Sequence, residues 1–245
     1  QVDFIELQVP GELYPDVDLL RSLAQCRDHH PVALTPVLAH EAATGKYHPR
    51  TRFGYRADEL PRLDEHLSAA GVQLDRVLCH VDADASLEQA LEISVTGKTS
   101  APATCNATEA VLVHKDVAAT FLPDLVARYH EAGVEVRGDE AVRAVDPAVL
   151  AANADDWGHE FLDMIVAVKV VPDMDAAIDH IRRFGSDHTD TIVTENAETA
   201  AVFTQRVQSS CTLVNASTRF NDGFQLGMGA EIGISTSRVH AYGPM

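Results

Sequence analysis

The chain alternates between short apolar runs, typical of buried strands, and longer segments with the apolar spacing of amphipathic helices. Strands are predicted at Asp3–Val9, Val32–Ala39, Arg76–Val81, Ala110–His114, Glu135–Arg137, Asp163–Val171, Thr189–Thr194 and Thr212–Asn215. Helices are predicted at Val17–Cys26, Glu59–Ala70, Ser86–Lys98, Asp116–Ala132, Asp173–Phe184 and Ala197–Val207. Strands separated by helices of this length indicate βαβ units, so the sequence predicts an α/β fold built on a mainly parallel sheet.

Single residues mark several of the predicted helix ends. Ser86 and Asp116 are residue types that accept hydrogen bonds from the first backbone amides of a helix, so each is expected to cap a helix. Gly133 is expected just beyond the second of these helices, where glycine can adopt a positive φ. Between the first helix and the strand Ala110–His114, the small and polar stretch TSAPATCNATEA is predicted to form a loop.

The composition is that of a soluble globular protein. Of the 245 residues, 46% are hydrophobic and 23% are charged. No apolar run approaches the ~20 residues that span a bilayer, and the start lacks the features of a signal peptide, so a cytoplasmic location is expected. Because the chain begins with Gln1 and stops at Met245, we expect a start that is either processed or cut and an end that is truncated.

Charge and residue counts narrow the possible functions. A formal net charge of −18 argues against nucleic-acid binding, because phosphates are met by clustered cations. The scattered histidines do not show the spacing of metal ligands, so no metal site is predicted. The four cysteines, at positions 26, 79, 105 and 211, form no C-x-x-C pair and are expected to be reduced thiols. Most such cysteines are small buried hydrophobic residues, so further features must single out a reactive one.

The surroundings of Cys105 distinguish it from the other thiols. It follows a helix and a flexible turn and precedes an apolar strand, a position in which a nucleophile can be exposed at the edge of a sheet. Its neighbours Thr104 and Asn106 are small and polar. Together with Thr108 and backbone amides, Asn106 could donate hydrogen bonds to an oxyanion. These features leave two interpretations open, a nucleophile or a structural cysteine at a strand entrance.

Ordered blocks of residues carry a resemblance to a known family. The first block contains Cys79-His80-Val81, Lys98-Thr99, Pro102, Cys105-Asn106-Ala107, Glu109 and Leu112-Val113-His114. It resembles the active-site region of the gamma-glutamyl phosphate reductases, or glutamate-5-semialdehyde dehydrogenases, of the aldehyde dehydrogenase superfamily. Their pattern is C-H-V, a helix, and K-T-x-x-P-x-x-C-N-A-x-E-x-x-L-V-H. Residues 155–171, 184–194 and 214–244 resemble later segments of the same family, so the match covers about 78–245.

This resemblance implies a fold and a chemistry. It implies an aldehyde-dehydrogenase-like catalytic domain with a parallel sheet, in which Cys105 is the nucleophile. The implied reaction is the NADPH-dependent reduction of gamma-glutamyl phosphate to glutamate-5-semialdehyde in proline biosynthesis, through a thioacyl-enzyme. Glu160 corresponds to the glutamate that contacts the nicotinamide ribose in aldehyde dehydrogenases.

Substrate-binding residues are expected in two of the matched blocks. Ser217, Thr218 and Arg219 offer two hydroxyls and a guanidinium to an anionic substrate, and Asn106 lies beside the nucleophile. For Arg219 the alternative is a surface ion pair of little energetic weight.

The first 77 residues do not follow the family pattern. The family carries a larger nucleotide-binding half before the cysteine domain, and we expect most of that half to be missing or replaced. The chain is therefore divided into a divergent segment, 1–77, and a cysteine catalytic domain, 78–245. Within the divergent segment, Val2–Val32 resembles the last βαβ unit of the nucleotide-binding half.

Departures inside the active-site block leave other functions open. Thr96-Gly97 stands where the family usually has Asn-Ala, and Ser100-Ala101 replaces Gln-Arg. The second change removes a polar and a charged side chain near Cys105, which would suit a different acyl phosphate or aldehyde on the same scaffold. A further alternative is a truncated or degenerate relative without catalytic activity, retained as a partner in a homo-oligomer.

Overall fold

The computed structural model describes residues 75–223, 225 and 226, together with the backbone of two short strands, β1 (Ile5–Val9) and β2 (Val32–Pro36). The two strands pair in parallel, with Ile5 opposite Val32. They fall in one compact unit, and residues 75–226 fall in a second. The predicted helices Val17–Cys26 and Glu59–Ala70 lie outside the described residues.

The second unit is built on a sheet of seven parallel strands, ordered β6-β5-β7-β4-β3-β8-β9. These strands are β3 (Val77–Val81), β4 (Thr108–His114), β5 (Glu135–Gly138), β6 (Leu150–Ala151), β7 (Ile165–Val171), β8 (Thr189–Val193) and β9 (Cys211–Val214). The central strands β3 and β4 are buried at every position, as expected for a parallel sheet that is covered on both faces. The predicted α/β class and parallel sheet are confirmed.

Helices cover both faces of this sheet. They are α1 (Leu87–Thr99), α2 (Lys115–Glu131), α3 (Glu140–Arg143), α4 (Met174–Phe184) and α5 (Ala197–Arg206). Side chains alternate along a strand, so β4 contributes Val111 to the core beneath α1 and α2 and Leu112 to the core beneath α4 and α5. The result is a three-layer arrangement. No helix in the described ranges is long and apolar enough to cross a membrane.

The helix ends follow the predictions only in part. Ser86 occupies the N-cap of α1, although its side chain makes no capping hydrogen bond. The prediction that Asp116 caps α2 is wrong. The cap is His114, whose Nδ1 accepts the Asp116 backbone N–H at 3.2 Å, because β4 runs directly into the helix and its last residue takes the cap position. Gly133 follows α2 with φ of +78°, as expected.

Candidate active site at the amino-terminal edge of the sheet

The loop that carries Cys105 joins the end of α1 to the start of β4. Proline lacks a backbone N–H and disfavours helical geometry in the residue before it, so Pro102 favours an end to α1 before this loop. Because β4 begins at Thr108, the loop lies at the amino-terminal edge of the parallel sheet. Cys105 is partly exposed there, whereas the next residue, Asn106, is only 1% exposed. The nucleophile candidate thus lies at the surface of a loop that is supported from within.

Asn106 supplies much of that support. Its side-chain amide donates to the backbone carbonyl of Asn221 at 3.0 Å, and its side-chain carbonyl accepts the Thr104 hydroxyl at 3.0 Å. Its backbone carbonyl accepts the Thr218 hydroxyl at 2.8 Å. These bonds connect the loop to the turn that follows β9.

That turn contains the other predicted substrate residues. Ser217 caps a short 3₁₀ helix, Thr218–Phe220, by accepting the backbone N–H of Arg219. Thr218 is fully buried, and its hydroxyl lies 3.1 Å from the hydroxyl of Thr108, the first residue of β4. The structure therefore brings Cys105, Asn106 and the segment Ser217–Arg219 together, although more than a hundred residues of sequence separate them.

Arg219 presents a positive charge that has no carboxylate partner within the described part of the chain. Its Nη1 donates to the Thr104 hydroxyl at 2.7 Å, while its Nε is buried and makes no hydrogen bond. Among the described residues it forms no ion pair, so the alternative of a surface ion pair does not apply there. An uncompensated guanidinium next to the Cys105 loop is suited to an anionic ligand, because its fork of N–H donors matches carboxylate and phosphate oxygens.

A buried charge cluster, Lys98–Glu109–Glu160, lies behind the same loop. Lys98 Nζ, at the end of α1, donates to Glu109 Oε2 on β4 at 2.8 Å, and both side chains are buried. The backbone N–H of Phe161 donates to the same oxygen at 3.3 Å, which places Glu160 next to the pair. Burial is the main cause that raises the pKa of Glu109, and it raises the pKa of Glu160 further, with the neighbouring carboxylates Asp75 and Glu109 adding to the shift.

Sequence reasoning missed the Lys98–Glu109 pair, although both residues belong to the matched block. A signal was present. A lysine in the last turn of an amphipathic helix and a glutamate in an apolar strand are both expected to be buried, and buried charges are stable only when they are paired.

The remaining cysteines in the described part of the chain are poor nucleophiles. Burial raises the pKa of the Cys79 thiol to about 12 and that of Cys211 to about 11. Since the thiolate is the reactive form, neither thiol is reactive at neutral pH.

His80, which follows Cys79 in the first matched block, is also structural. Its Nδ1 lies 3.2 Å from the Leu112 carbonyl, and burial lowers its pKa to about 4.

Comparison with known proteins identifies the family. No family model matches the chain. The gamma-glutamyl phosphate reductase of Xanthomonas campestris pv. campestris is 49% identical over 183 residues, which cover 74% of this chain and 44% of that protein. The chain therefore spans less than half the length of the curated relatives it matches.

Solved structures agree with this comparison. The crystal structure of gamma-glutamyl phosphate reductase from Thermotoga maritima matches with a TM-score of 0.70 and 37% identity, covering 94% of this chain and 51% of that one. A propionaldehyde dehydrogenase from Clostridium phytofermentans, at 12% identity, has a TM-score of 0.50 over 74% of this chain and 51% of its own, and shows a shared fold alone. The fold is therefore aldehyde-dehydrogenase-like. Over the matched residues, the chain belongs to the gamma-glutamyl phosphate reductase family.

Proposed function

We propose that this chain carries the acyl-transfer residues of a gamma-glutamyl phosphate reductase, with Cys105 as the nucleophile. The observation that carries the proposal is the uncompensated guanidinium of Arg219, which is hydrogen-bonded to the residue that precedes Cys105. The chain is 49% identical to a gamma-glutamyl phosphate reductase over 183 residues, which adds support.

In the proposed reaction, the Cys105 thiolate attacks the acyl carbon of gamma-glutamyl phosphate. A carbon–sulfur bond forms, the carbon–oxygen bond to phosphate breaks, and inorganic phosphate leaves with its electron pair. The product is a thioester on Cys105. A nicotinamide dinucleotide, NADPH in this proposal, would supply a hydride to the acyl carbon when bound. The carbon–sulfur bond then breaks, which releases glutamate-5-semialdehyde and restores the Cys105 thiolate.

The surrounding residues have separate roles in this proposal. The backbone N–H of Cys105 is a natural donor to the oxyanion that develops on the acyl oxygen. Arg219 attracts the negatively charged substrate to the thiol. Asn106, Ser217 and Thr218 shape the substrate site through the hydrogen bonds that hold the loop and the turn together.

Glu160 is the residue proposed to hold the nicotinamide ribose. It lies next to Glu109, which is four positions after Cys105, and a backbone N–H of Asp75 supports its carboxyl group. A carboxyl group can bond to a pair of ribose hydroxyls in either protonation state, so the raised pKa of Glu160 is compatible with this role. These observations support Glu160 in the role that the resemblance implies.

The test compares two steps in the full 245-residue chain. Phosphate release from gamma-glutamyl phosphate reports acyl transfer, and NADPH consumption reports reduction. Cys105→Ala should lower phosphate release to the rate measured without protein, whereas the matched variant Cys79→Ala should release phosphate at the wild-type rate. Cys211→Ala is a second control. Unchanged phosphate release in Cys105→Ala would contradict the proposed nucleophile.

The same assay separates the alternatives. Faster phosphate release from acetyl phosphate would favour a different acyl phosphate, and no release from either compound would favour a degenerate relative. The proposal also includes a cytoplasmic location, a small-molecule substrate without nucleic acid, and a homo-oligomer. The net charge of −18 supports the exclusion of nucleic acid, and light scattering would test the oligomer.

A further inference from the structure

The hydroxyl of Thr104 lies between Arg219 and the nucleophile loop. It accepts from Arg219 Nη1 at 2.7 Å. It also lies within donating distance of two acceptors, the Asn106 side-chain carbonyl at 3.0 Å and the Ala101 backbone carbonyl at 2.9 Å. A hydroxyl has one proton and two lone pairs, so it can accept from the guanidinium while it donates to the loop. Thr104 is therefore a hydrogen-bond link between the charge of Arg219 and the residues on either side of Cys105.

The link continues into the body of the sheet. Asn106 donates to the Asn221 backbone carbonyl at 3.0 Å, and the Asn221 side chain donates at 2.7 Å to the hydroxyl of Thr189, the first residue of β8. Asn106, Asn221 and Thr189 are each at most 1% exposed. A continuous series of hydrogen bonds thus runs from the guanidinium, past Cys105, to a buried strand.

We infer that Thr104 is a positioning residue that holds the Arg219 guanidinium in a fixed position relative to the Cys105 thiol. An anion attracted by the arginine is then brought to the sulfur. This inference rests on the proposed role of Cys105 as the nucleophile. The family pattern K-T-x-x-P-x-x-C leaves position 104 open, so the role follows from the contacts of this chain and not from the motif. Without the hydroxyl, Arg219 loses its side-chain partner and the Asn106 carbonyl loses a donor.

Alkylation of Cys105 tests the inference without requiring reductase activity. The full chain is treated with iodoacetate, which is anionic, or with iodoacetamide, which is neutral, and the Cys105 peptide is quantified by mass spectrometry. Both reagents need the thiolate, so the ratio of the two rates cancels any change in thiolate fraction and reports attraction of the anion. The measured ratio is the rate with iodoacetate divided by the rate with iodoacetamide. We expect this ratio to be higher for the folded wild-type protein than for the unfolded chain, and Thr104→Val to lower it about fivefold.

Two matched variants control for the substitution itself. Thr104→Ser keeps the hydroxyl and should keep the ratio within about twofold of wild type. Thr204→Val makes the same change on α5, at an exposed threonine whose hydroxyl donates to the Ala201 carbonyl within its own helix. It should leave the ratio unchanged. A Thr104→Val variant that slows both reagents equally would assign the hydroxyl to loop structure alone and would overturn the inference.

A double-mutant cycle tests whether Thr104 acts through Arg219, and Thr104→Ala, which also lacks the hydroxyl, replaces Thr104→Val throughout if the valine variant does not fold. Arg219→Met should lower the ratio as much as Thr104→Val does, and adding Thr104→Val to Arg219→Met should lower it no further. No effect of Arg219→Met, or additive effects of the two changes, would overturn the inference. Failure of the proposed reductase would appear separately, as absent phosphate release with the alkylation ratios intact.

Discussion

Arg219 and Lys98 are two cations near Cys105 with opposite surroundings. Lys98 is fully buried and neutralised by Glu109 at 2.8 Å. Arg219 is partly exposed, and its one side-chain partner among the residues that the structure describes is the neutral hydroxyl of Thr104. A buried charge that is already paired attracts a ligand only weakly, whereas an unpaired charge attracts an oppositely charged ligand with its full charge. At the scale of single residues, this difference assigns Lys98 to structure and Arg219 to recognition.

The structural assignment of Lys98 predicts a large effect on stability. Glu109→Ala should lower the free energy of unfolding by about 3–5 kcal/mol, because it leaves the Lys98 ammonium buried without a partner. Replacing both residues, Lys98→Met with Glu109→Leu, should recover most of that loss. Urea denaturation of the three proteins measures the difference.

An exposed ion pair provides the matched control. Asp179 lies 3.6 Å from Arg182, and both side chains are more than half exposed. Asp179→Ala should therefore lower the free energy of unfolding by less than about 1 kcal/mol. Equal effects of Glu109→Ala and Asp179→Ala would show that burial does not set the strength of the Lys98–Glu109 pair.

Among the elements, the long ones could be predicted from the sequence and the short ones could not. The four longer described helices and most strands show a clear period, and their predicted bounds agree with the structure to within about two residues. Helix α3 has four residues and β6 has two, so neither shows a period. The position of α3 depends on Asp139, whose carboxylate accepts the backbone N–H of Val142 in α3 and that of Val170 in β7. The position of β6 depends on its pairing with β5, in which Leu150 lies opposite Arg137.

The candidate site shows the same limit for a different reason. The Cys105 loop could be predicted because its signals are local and lie in one block. The Thr104–Arg219 bond joins residues 115 positions apart, and the pairing depends on how the turn after β9 packs against the start of β4. The predicted roles of Glu160 and Arg219 came from the family resemblance, while their contacts come from the packing of strands.

Packing between α1 and β4 explains one departure from the family pattern. Gly97 stands where relatives usually have alanine, and a Cβ at this position would overlap the Thr108 hydroxyl. Thr108 is buried and contacts Thr218, so it has little room to move. Gly97→Ala should therefore lower stability by about 1–3 kcal/mol, although alanine is the better helix former by about 1 kcal/mol.

A second substitution isolates this overlap. In the background Thr108→Ala, the added methyl group no longer overlaps the Thr108 hydroxyl and keeps an ordinary contact with the Ser217 hydroxyl at 3.6 Å, so Gly97→Ala should become neutral or stabilising. Gly158→Ala is the matched control, since its Cβ would meet only Phe184 at an ordinary contact distance of 3.5 Å. Thermal unfolding measures all four variants. An unchanged penalty for Gly97→Ala in the Thr108→Ala background would contradict the packing explanation.

At the scale of the whole molecule, burial of titratable groups links stability to pH. Burial lowers the pKa of His80 and of His180 to about 4. It raises the pKa of Asp190 from 3.8 to about 8, and it also raises the pKa of Glu109 and Glu160. The histidines and the carboxyl groups change the free energy of unfolding in opposite directions as pH rises, so each set dominates in a different pH range.

The signs follow from the protons that each state binds. Between about pH 4 and 6.5 the unfolded histidines bind protons that the folded ones do not, so their contribution to stability rises with pH and is lost on acidification. Between pH 3.8 and about 8 the folded state holds a proton on Asp190 that the unfolded state has released, so this contribution falls as pH rises. Above about pH 6.5 the histidines no longer oppose the buried carboxyl groups.

The free energy of unfolding should therefore decline between about pH 6.5 and 8, with Asp190 contributing up to about 1.4 kcal/mol per pH unit. Asp190→Asn should reduce the decline by that amount. The amide oxygen introduced by this substitution can still accept the Leu78 backbone N–H, which lies 3.0 Å from the carboxylate in the wild type. The Ser209 hydroxyl, which donates to the carboxylate, can instead accept a hydrogen bond from the new amide N–H. Asp179→Asn, at an exposed site, should leave the slope unchanged. Urea denaturation at several pH values measures the slopes. Equal slopes for the wild type and Asp190→Asn in this window would show that Asp190 stays ionised in the folded protein.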